Sequence, residues 1–483
     1  MAQYTLLPAR FPPLYHTQMA RMHLPPFAVS RRNFLGLGVS GLVSLAGLRP
    51  TFAANTRAPA KSVLVILEQG GLSQMDTWDP KPEAVAEHRS PYKPIATKVP
   101  GMRFTELLSE TAKVADKLAV VRSMWHPKAG ASGHGEGTQY MLSGAHPGSA
   151  MPMPDLGSVA SHTLGTSAHF LPPYIMVPGN HEQNAVTSTG FLPVGTKAFK
   201  TGGADLSAPN WKVGALEARP ETPSERLAAR QQLLNGMNAR NSSGTGRSFG
   251  GMDRFYDQAF DTLTSPKVAK AFDYQAEPLA VRERYGKGHR GACYLVGRKL
   301  IEAGVRFVTV DVRWPHTPEY PGGFNMNWDH HDLMYANGSC GTIRDKAGGE
   351  GRYGIGTWPM MGSTDRAFAA LIEDLDQRGL LAETLVCFVT EFGRTPKLNK
   401  FAGRDHWTNA YSIAFAGAGV KGGQVIGSTD KDGGQVTNDP YTPEAYAATV
   451  FEKLGIDRGK PLYTASDRPV FIGHDADPIA PLL

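Results

Sequence analysis

Cysteine is nearly absent. The 483-residue chain has three, Cys293, Cys340 and Cys387, and no two are spaced as Cys-x-x-Cys. That argues against a disulfide-stapled scaffold and a thiolate zinc knuckle, and the apolar neighbours of Cys293 and Cys387 mark those two as small core residues. No basic block is interleaved with aromatics, so a net charge of +6 is too scattered to indicate a nucleic-acid binder. No apolar run reaches the ~20 residues of a membrane-spanning helix. No internal repeat is present, which excludes a solenoid. What remains is a globular chain whose 41% hydrophobic residues suffice for a core and whose length suits an α/β domain with insertions.

Acidic residues are missing ahead of Arg31-Arg32. Ser30-Arg31-Arg32-Asn33-Phe34-Leu35 leads into a Gly/Ala/Leu/Val run ending at Leu48, followed by the small residues Ala53-Ala54. The segment resembles a twin-arginine export signal. It implies a leader over 1–54, a mature α/β domain over 55–483, a periplasmic or secreted location, and membrane contact only during export. Because this route carries folded proteins, a prosthetic group loaded beforehand is expected.

Apolar, β-branched runs predict strands at Ser62 to Leu67, Leu118 to Ser123, Pro173 to Val177, Val305 to Val312, Leu385 to Val389 and Ile413 to Gly417. Helical patterns cover Cys293 to Ala303, Ala367 to Arg378 and Pro443 to Leu454, and another helix begins near Glu136. Strands alternating with helices predict a doubly wound, mostly parallel sheet flanked by helices. The polar stretch 201–288, with helical patterns at 224–239 and 251–263, reads as a helical insertion outside that sheet.

In such sheets ligands bind beyond the carboxyl ends of the strands, and the polar clusters of this chain fall there. The first strand runs into Glu68-Gln69-Gly70-Gly71, followed by Asp76 and Asp79. The second leads to His126 and to Gly133-His134-Gly135-Glu136-Gly137-Thr138. Trp328-Asp329-His330-His331-Asp332 follows the strand ending near Val312, combining imidazole and carboxylate in a spacing suited to Zn, Mn or Fe. Thr390-Glu391-Phe392-Gly393-Arg394-Thr395-Pro396 follows Val389, and Gly403-Arg404-Asp405-His406-Trp407 follows in turn. Arg394 offers an anion clamp through its planar fork.

In order, Gly70 to Pro82, Leu300 to Val308, Trp328 to His331, Thr390 to Pro396 and Gly403 to Trp407 resemble the domain of unknown function 1501 family, exported proteins related to the alkaline phosphatase and sulfatase superfamily. The resemblance implies an alkaline-phosphatase-like core and one or two divalent ions (Zn, Mn or Ca). By the same resemblance Asp76, Asp329, His331, Glu391 and His406 are metal ligands, with Asp79 the weaker choice for the early carboxylate. Asp405 is a ligand or the partner that orients His406. Where sulfatases carry Cys or Ser ahead of a helix, alignment on Ser143-Gly144 puts His134, with Thr138 one turn beyond. His134 is then a third ligand or a general base, and a covalent phospho- or sulfo-enzyme is not expected. The reading is a metal-dependent hydrolase acting by metal-activated water on a small-molecule or polysaccharide sulfate or phosphate ester. The competing reading is a non-catalytic secreted binding protein that keeps the fold.

Overall fold

Aliphatic and β-branched residues build the central strands, and each of these strands is long enough to present alternate side chains to two covering layers. The structure, a computed structural model, describes residues 60–166, 170–179, 188–202, 205–216, 265–312, 328–337, 353–473 and 476–483, with scattered positions between 226 and 263. The export segment, Cys340 and the helical patterns at 224–239 and 251–263 lie wholly or mostly outside them.

The main sheet contains β1 (Ser62–Leu67), β2 (Leu118–Met124), β3 (Tyr174–Pro178), β4 (Phe199–Lys200), β5 (Phe307–Asp311), β6 (Thr384–Val389), β7 (Tyr411–Ala416) and β8 (Gln424–Ile426). Their spatial order is β8-β2-β7-β6-β1-β5-β3-β4. β1 lies between β5 and β6 and is parallel to both, with Val63 opposite Phe307 and Leu385. Only β7 is reversed, running antiparallel to β2 and β6. None of the sheet's strands comes from 201–288.

Val63, Val65 and Leu67 pack with residues of helices α1 (His134–Ser143), α2 (Leu156–Leu164) and α5 (Pro443–Lys453). Leu64 and Ile66 point the other way, into the layer formed by α3 (His289–Glu302) and α4 (Ser363–Gln377). Each such side chain, fully buried, contributes about 1.5–3 kcal/mol. Cys293 and Cys387 are buried among them as core residues.

β1, β5 and β6 are adjacent and share a direction, so Glu68, Asp311 and Thr390-Glu391 emerge together at one edge. The reversal of β7 brings a further segment there. Tyr411 opens β7 opposite Met124, which closes β2, so the residues just before β7 reach the edge where the other strands end. His406-Trp407 arrives in this way, paired antiparallel to Gly393-Arg394.

Candidate metal centre

The loop after β1 fits closely against the segment that follows β5. Gly70 has φ of +116°, and a Cβ there would lie 2.4 Å from the Trp328 nitrogen and 2.7 Å from the Asp329 nitrogen, so only glycine permits this approach. Its own N–H donates to Glu391 Oε1 at 2.8 Å. Trp328 is fixed by its indole N–H, which donates to Glu68 Oε2 at 2.8 Å. Arg290 donates to both oxygens of Glu68, at 2.5 and 2.7 Å, and Tyr294 adds a hydrogen bond at 2.8 Å. Glu68 and Arg290 are fully buried, so removing either partner alone would cost about 3–5 kcal/mol. Asp329, next in the chain to Trp328, is thus presented from a rigid base.

One oxygen of Asp329 is the focus of the site. Around its Oδ1 lie His331 Nε2 at 2.9 Å, His406 Nε2 at 3.1 Å, His134 Nε2 at 3.2 Å and Arg394 Nη2 at 2.8 Å. His331 Nε2 and His406 Nε2 are 3.0 Å apart. The opposite nitrogen of each ring has its own partner: His134 Nδ1 meets Glu391 Oε1 at 2.6 Å, His331 Nδ1 meets Asp405 Oδ1 at 2.8 Å, and His406 Nδ1 meets the Ser132 carbonyl at 2.7 Å. A carbonyl can only accept, so His406 carries its hydrogen on Nδ1 and, when neutral, presents a lone pair at Nε2. The neutral forms of His134 and His331 do the same against their carboxylates. Phe392 lies beside two of the rings, with centroids 5.2 Å from His134 and 4.5 Å from His406.

Three Nε2 atoms gathered round one carboxylate oxygen, each ring held from behind by an acceptor, form the donor pattern of a metal site. The ligand atoms of His134, Asp329 and His406 all lie within 4.8 Å of one another. Asp329 and the three histidines are partly exposed, so the group opens to solvent.

The electrostatics of the group agree with this geometry. Burial alone would lower the His134 pKa, but hydrogen bonds to Asp329 and Glu391 raise it to about 9. Burial also opposes ionisation of Asp329, yet hydrogen bonds from His134 and His331, together with the Arg394 charge, hold its carboxyl far below the usual range. Glu391 is held low against burial by His134. Loss of hydration lowers His406 more than its hydrogen bond to Asp329 raises it. Without an ion His134 therefore carries a proton on each nitrogen, one against each carboxylate, and an ion bound at Nε2 would displace one of them.

Asp329, His331, His406, His134, Glu391, Arg394 and Asp405 all meet here, while the surroundings of Glu391, Arg394, Asp76 and Asp405 differ from those expected from sequence. Glu391 is fully buried, and its Oε1 is taken by Gly70 and His134, so it backs a ligand instead of being one. Arg394 is also fully buried. Its guanidinium donates to the carbonyls of Gly70, Gly71 and Arg404 and to Asp329, so it braces Asp329 and cannot clamp a substrate anion at the rim. Asp76 stays out of the group, because its carboxylate receives Ser73 Oγ at 2.5 Å and Tyr335 Oη at 3.0 Å and pairs with Arg404 at 3.3 Å. Asp79 is likewise engaged, by Thr429, Lys81 and Arg122.

Asp405 binds His331 and not His406. Thr138 is buried within α1, and its hydroxyl has no hydrogen-bond partner among the described residues. Glu136 turns its carboxylate back over Gly133, so the start of α1 already has an anion of its own. The Glu68–Arg290 pair was not legible in sequence; its one signal was a carboxylate directly after β1.

Residues 60–483 match the family described as "Protein of unknown function (DUF1501)", and the chain belongs to that family. No curated protein matches it. Among solved structures it is similar to the phosphonate monoester hydrolase SpPMH from Silicibacter pomeroyi, at 12% identity and TM-score 0.37 over 88% of this chain and 76% of that one. It is also similar to PsFucS1 sulfatase from Pseudoalteromonas sp., at 13% identity and TM-score 0.33 over 90% and 74%. A third likeness is to the phosphonate monoester hydrolase of Agrobacterium radiobacter, at 12% identity and TM-score 0.36 over 87% and 77%. At TM-scores below 0.5 these superpositions assign neither activity nor ligand to this chain.

Proposed function

We propose that this DUF1501 protein is a metal-dependent hydrolase of sulfate or phosphate esters, with His134, Asp329, His331 and His406 as the ligand set. The observation that carries the reading is the convergence of three Nε2 atoms on Asp329 Oδ1, with an acceptor behind every Nδ1. The donor chemistry, three imidazoles and one carboxylate, fits a zinc-like ion best, with the carboxylate leaving manganese a second choice, whereas calcium prefers an all-oxygen set. Bound there, a divalent ion supplies Lewis acidity towards an ester oxygen and lowers the pKa of water towards ~7.

The chain's own residues prepare that chemistry. Glu391, Asp405 and the Ser132 carbonyl fix the three tautomers and ring planes, and Arg394 holds Asp329 ionised and in place. His134 faces carboxylates with both nitrogens, which favours the ligand role over that of a free general base. The partial exposure of Asp329 and the histidines lets an ester approach from solvent, and the family resemblance makes a sulfate or phosphate ester the first class to assay.

Elemental analysis of protein purified without chelator, followed by a sulfate and phosphate ester panel with Zn, Mn and Ca, tests the proposal. Stoichiometric metal and hydrolysis lost in Asp329→Ala and His406→Ala are expected, with the fold retained because these residues contribute little to the core. Protein that takes up no divalent ion, with no Asp329-dependent turnover, would leave the secreted binding-protein reading in its place.

A further inference from the structure

We infer that the centre takes one divalent ion and not two, because the Arg394 guanidinium is a resident cation in the cage a second ion would need. The inference rests on the metal-centre reading and adds its stoichiometry. Arg394 is fully buried, and its guanidinium donates to oxygens: the carbonyls of Gly70, Gly71 and Arg404, and Asp329 Oδ1 at 2.8 Å. Main-chain carbonyls plus one carboxylate are the ligands a hard cation would collect. Here a planar, permanently charged group collects them.

Two further carboxylates expected at this centre are also taken. Glu391 is held by Gly70, His134 and Thr390. Asp76, the carboxylate that the β1 loop could have given to a second ion, is paired with a second buried arginine, Arg404, and with Tyr335 and Ser73. Arg404 is anchored in turn on the carbonyls of Thr395, Pro396 and His88. Two arginines thus neutralise Asp329 and Asp76. A second dication placed there would face a fixed guanidinium and find Asp329, Glu391 and Asp76 already engaged.

The test is metal counting, independent of activity. Metal-free protein is saturated with ZnCl2 or MnCl2, freed of excess, and analysed by native mass spectrometry and elemental analysis. The wild type is expected to hold one ion per chain, and Arg394→Ala to accept a second ion with preference for oxygen-seeking Mn over Zn. Arg394→Lys, which keeps a positive charge in the cage, is expected to hold one. Two ions in the wild type or in the Lys variant overturn the inference while leaving the metal centre intact, and one ion in a folded Arg394→Ala variant overturns the role given to the guanidinium. No ion in the wild type overturns the metal centre itself. Where the Ala variant does not fold, the wild-type and Lys counts still decide.

Discussion

Glu391→Gln separates a residue that backs a ligand from a ligand. Glu391 Oε1 accepts from the Gly70 N–H at 2.8 Å and from His134 Nδ1 at 2.6 Å, while Oε2 lies 3.2 Å from Thr390 Oγ1. A glutamine with its carbonyl at the Oε1 position keeps the first two bonds, and its amide group can donate to Thr390. The shape and most of the hydrogen bonding survive; the negative charge that makes His134 a stronger donor does not. Loss of such an outer partner lowers metal affinity by about 10–100-fold, or about 1.4–2.8 kcal/mol. Stability of the metal-free protein should change by only about 1–2 kcal/mol, the worth of one charge-assisted bond weakened to a neutral one. Chelator competition with zinc at fixed pH gives the affinity, and urea denaturation of the metal-free forms gives the stability. An unchanged dissociation constant would refute the reasoning, and so would a loss as complete as that of Asp329→Ala, which would make Glu391 a direct ligand.

Three other outcomes are expected. Gly70→Ala forces a side chain against the Trp328 and Asp329 nitrogens at a φ of +116°; the backbone strain alone costs about 1–3 kcal/mol, and zinc affinity should fall with it, so wild-type values for both in denaturation and chelator titrations would contradict the close packing. His126 is buried, and loss of hydration, partly offset by the carbonyls of Glu391 and Ala131, lowers its pKa to about 4. The neutral ring's contribution is therefore complete above pH 6.5 and is lost as pH falls through 4, a change of about 3 kcal/mol; urea curves across this range should flatten in His126→Phe, and parallel profiles would count against it. Lys at both Arg31 and Arg32 should leave the precursor in the cytoplasm, whereas its normal periplasmic accumulation would rule out the twin-arginine reading.

The strands were legible because burial on both faces demands unbroken apolar runs, and β1 was read to the residue. Edge strands were not: Phe199–Lys200 and Gln424–Ile426 are short and only partly buried, so neither carries the signal of a central strand. The direction of β7 was invisible as well, since an apolar run reads alike both ways. At the site, residue types and positions beside strand ends singled out His134, Asp329, His331 and His406, which the structure brings together. Roles that depend on which atom faces which neighbour were beyond the sequence. Glu391 behind His134, Arg394 against Asp329 and Asp76 against Arg404 are contacts of this kind. The Glu68–Arg290 pair joins positions 222 residues apart, and no local pattern announces such a contact.

The single reversed strand also sets when the centre can exist. His406 reaches Asp329 because β7 lies antiparallel between β2 and β6, and Arg394 braces Asp329 from a loop tied to Gly70, 324 positions earlier. During synthesis His134 and Asp329 emerge long before His406, so the group around Asp329 cannot close until β7 has been made and has docked. Capture of the ion proposed above would then be a late event of folding, and a captured ion would report that β7 is in place. A chain stalled or cleaved before β7 would fail that inspection, even with Asp329 and His134 already in place.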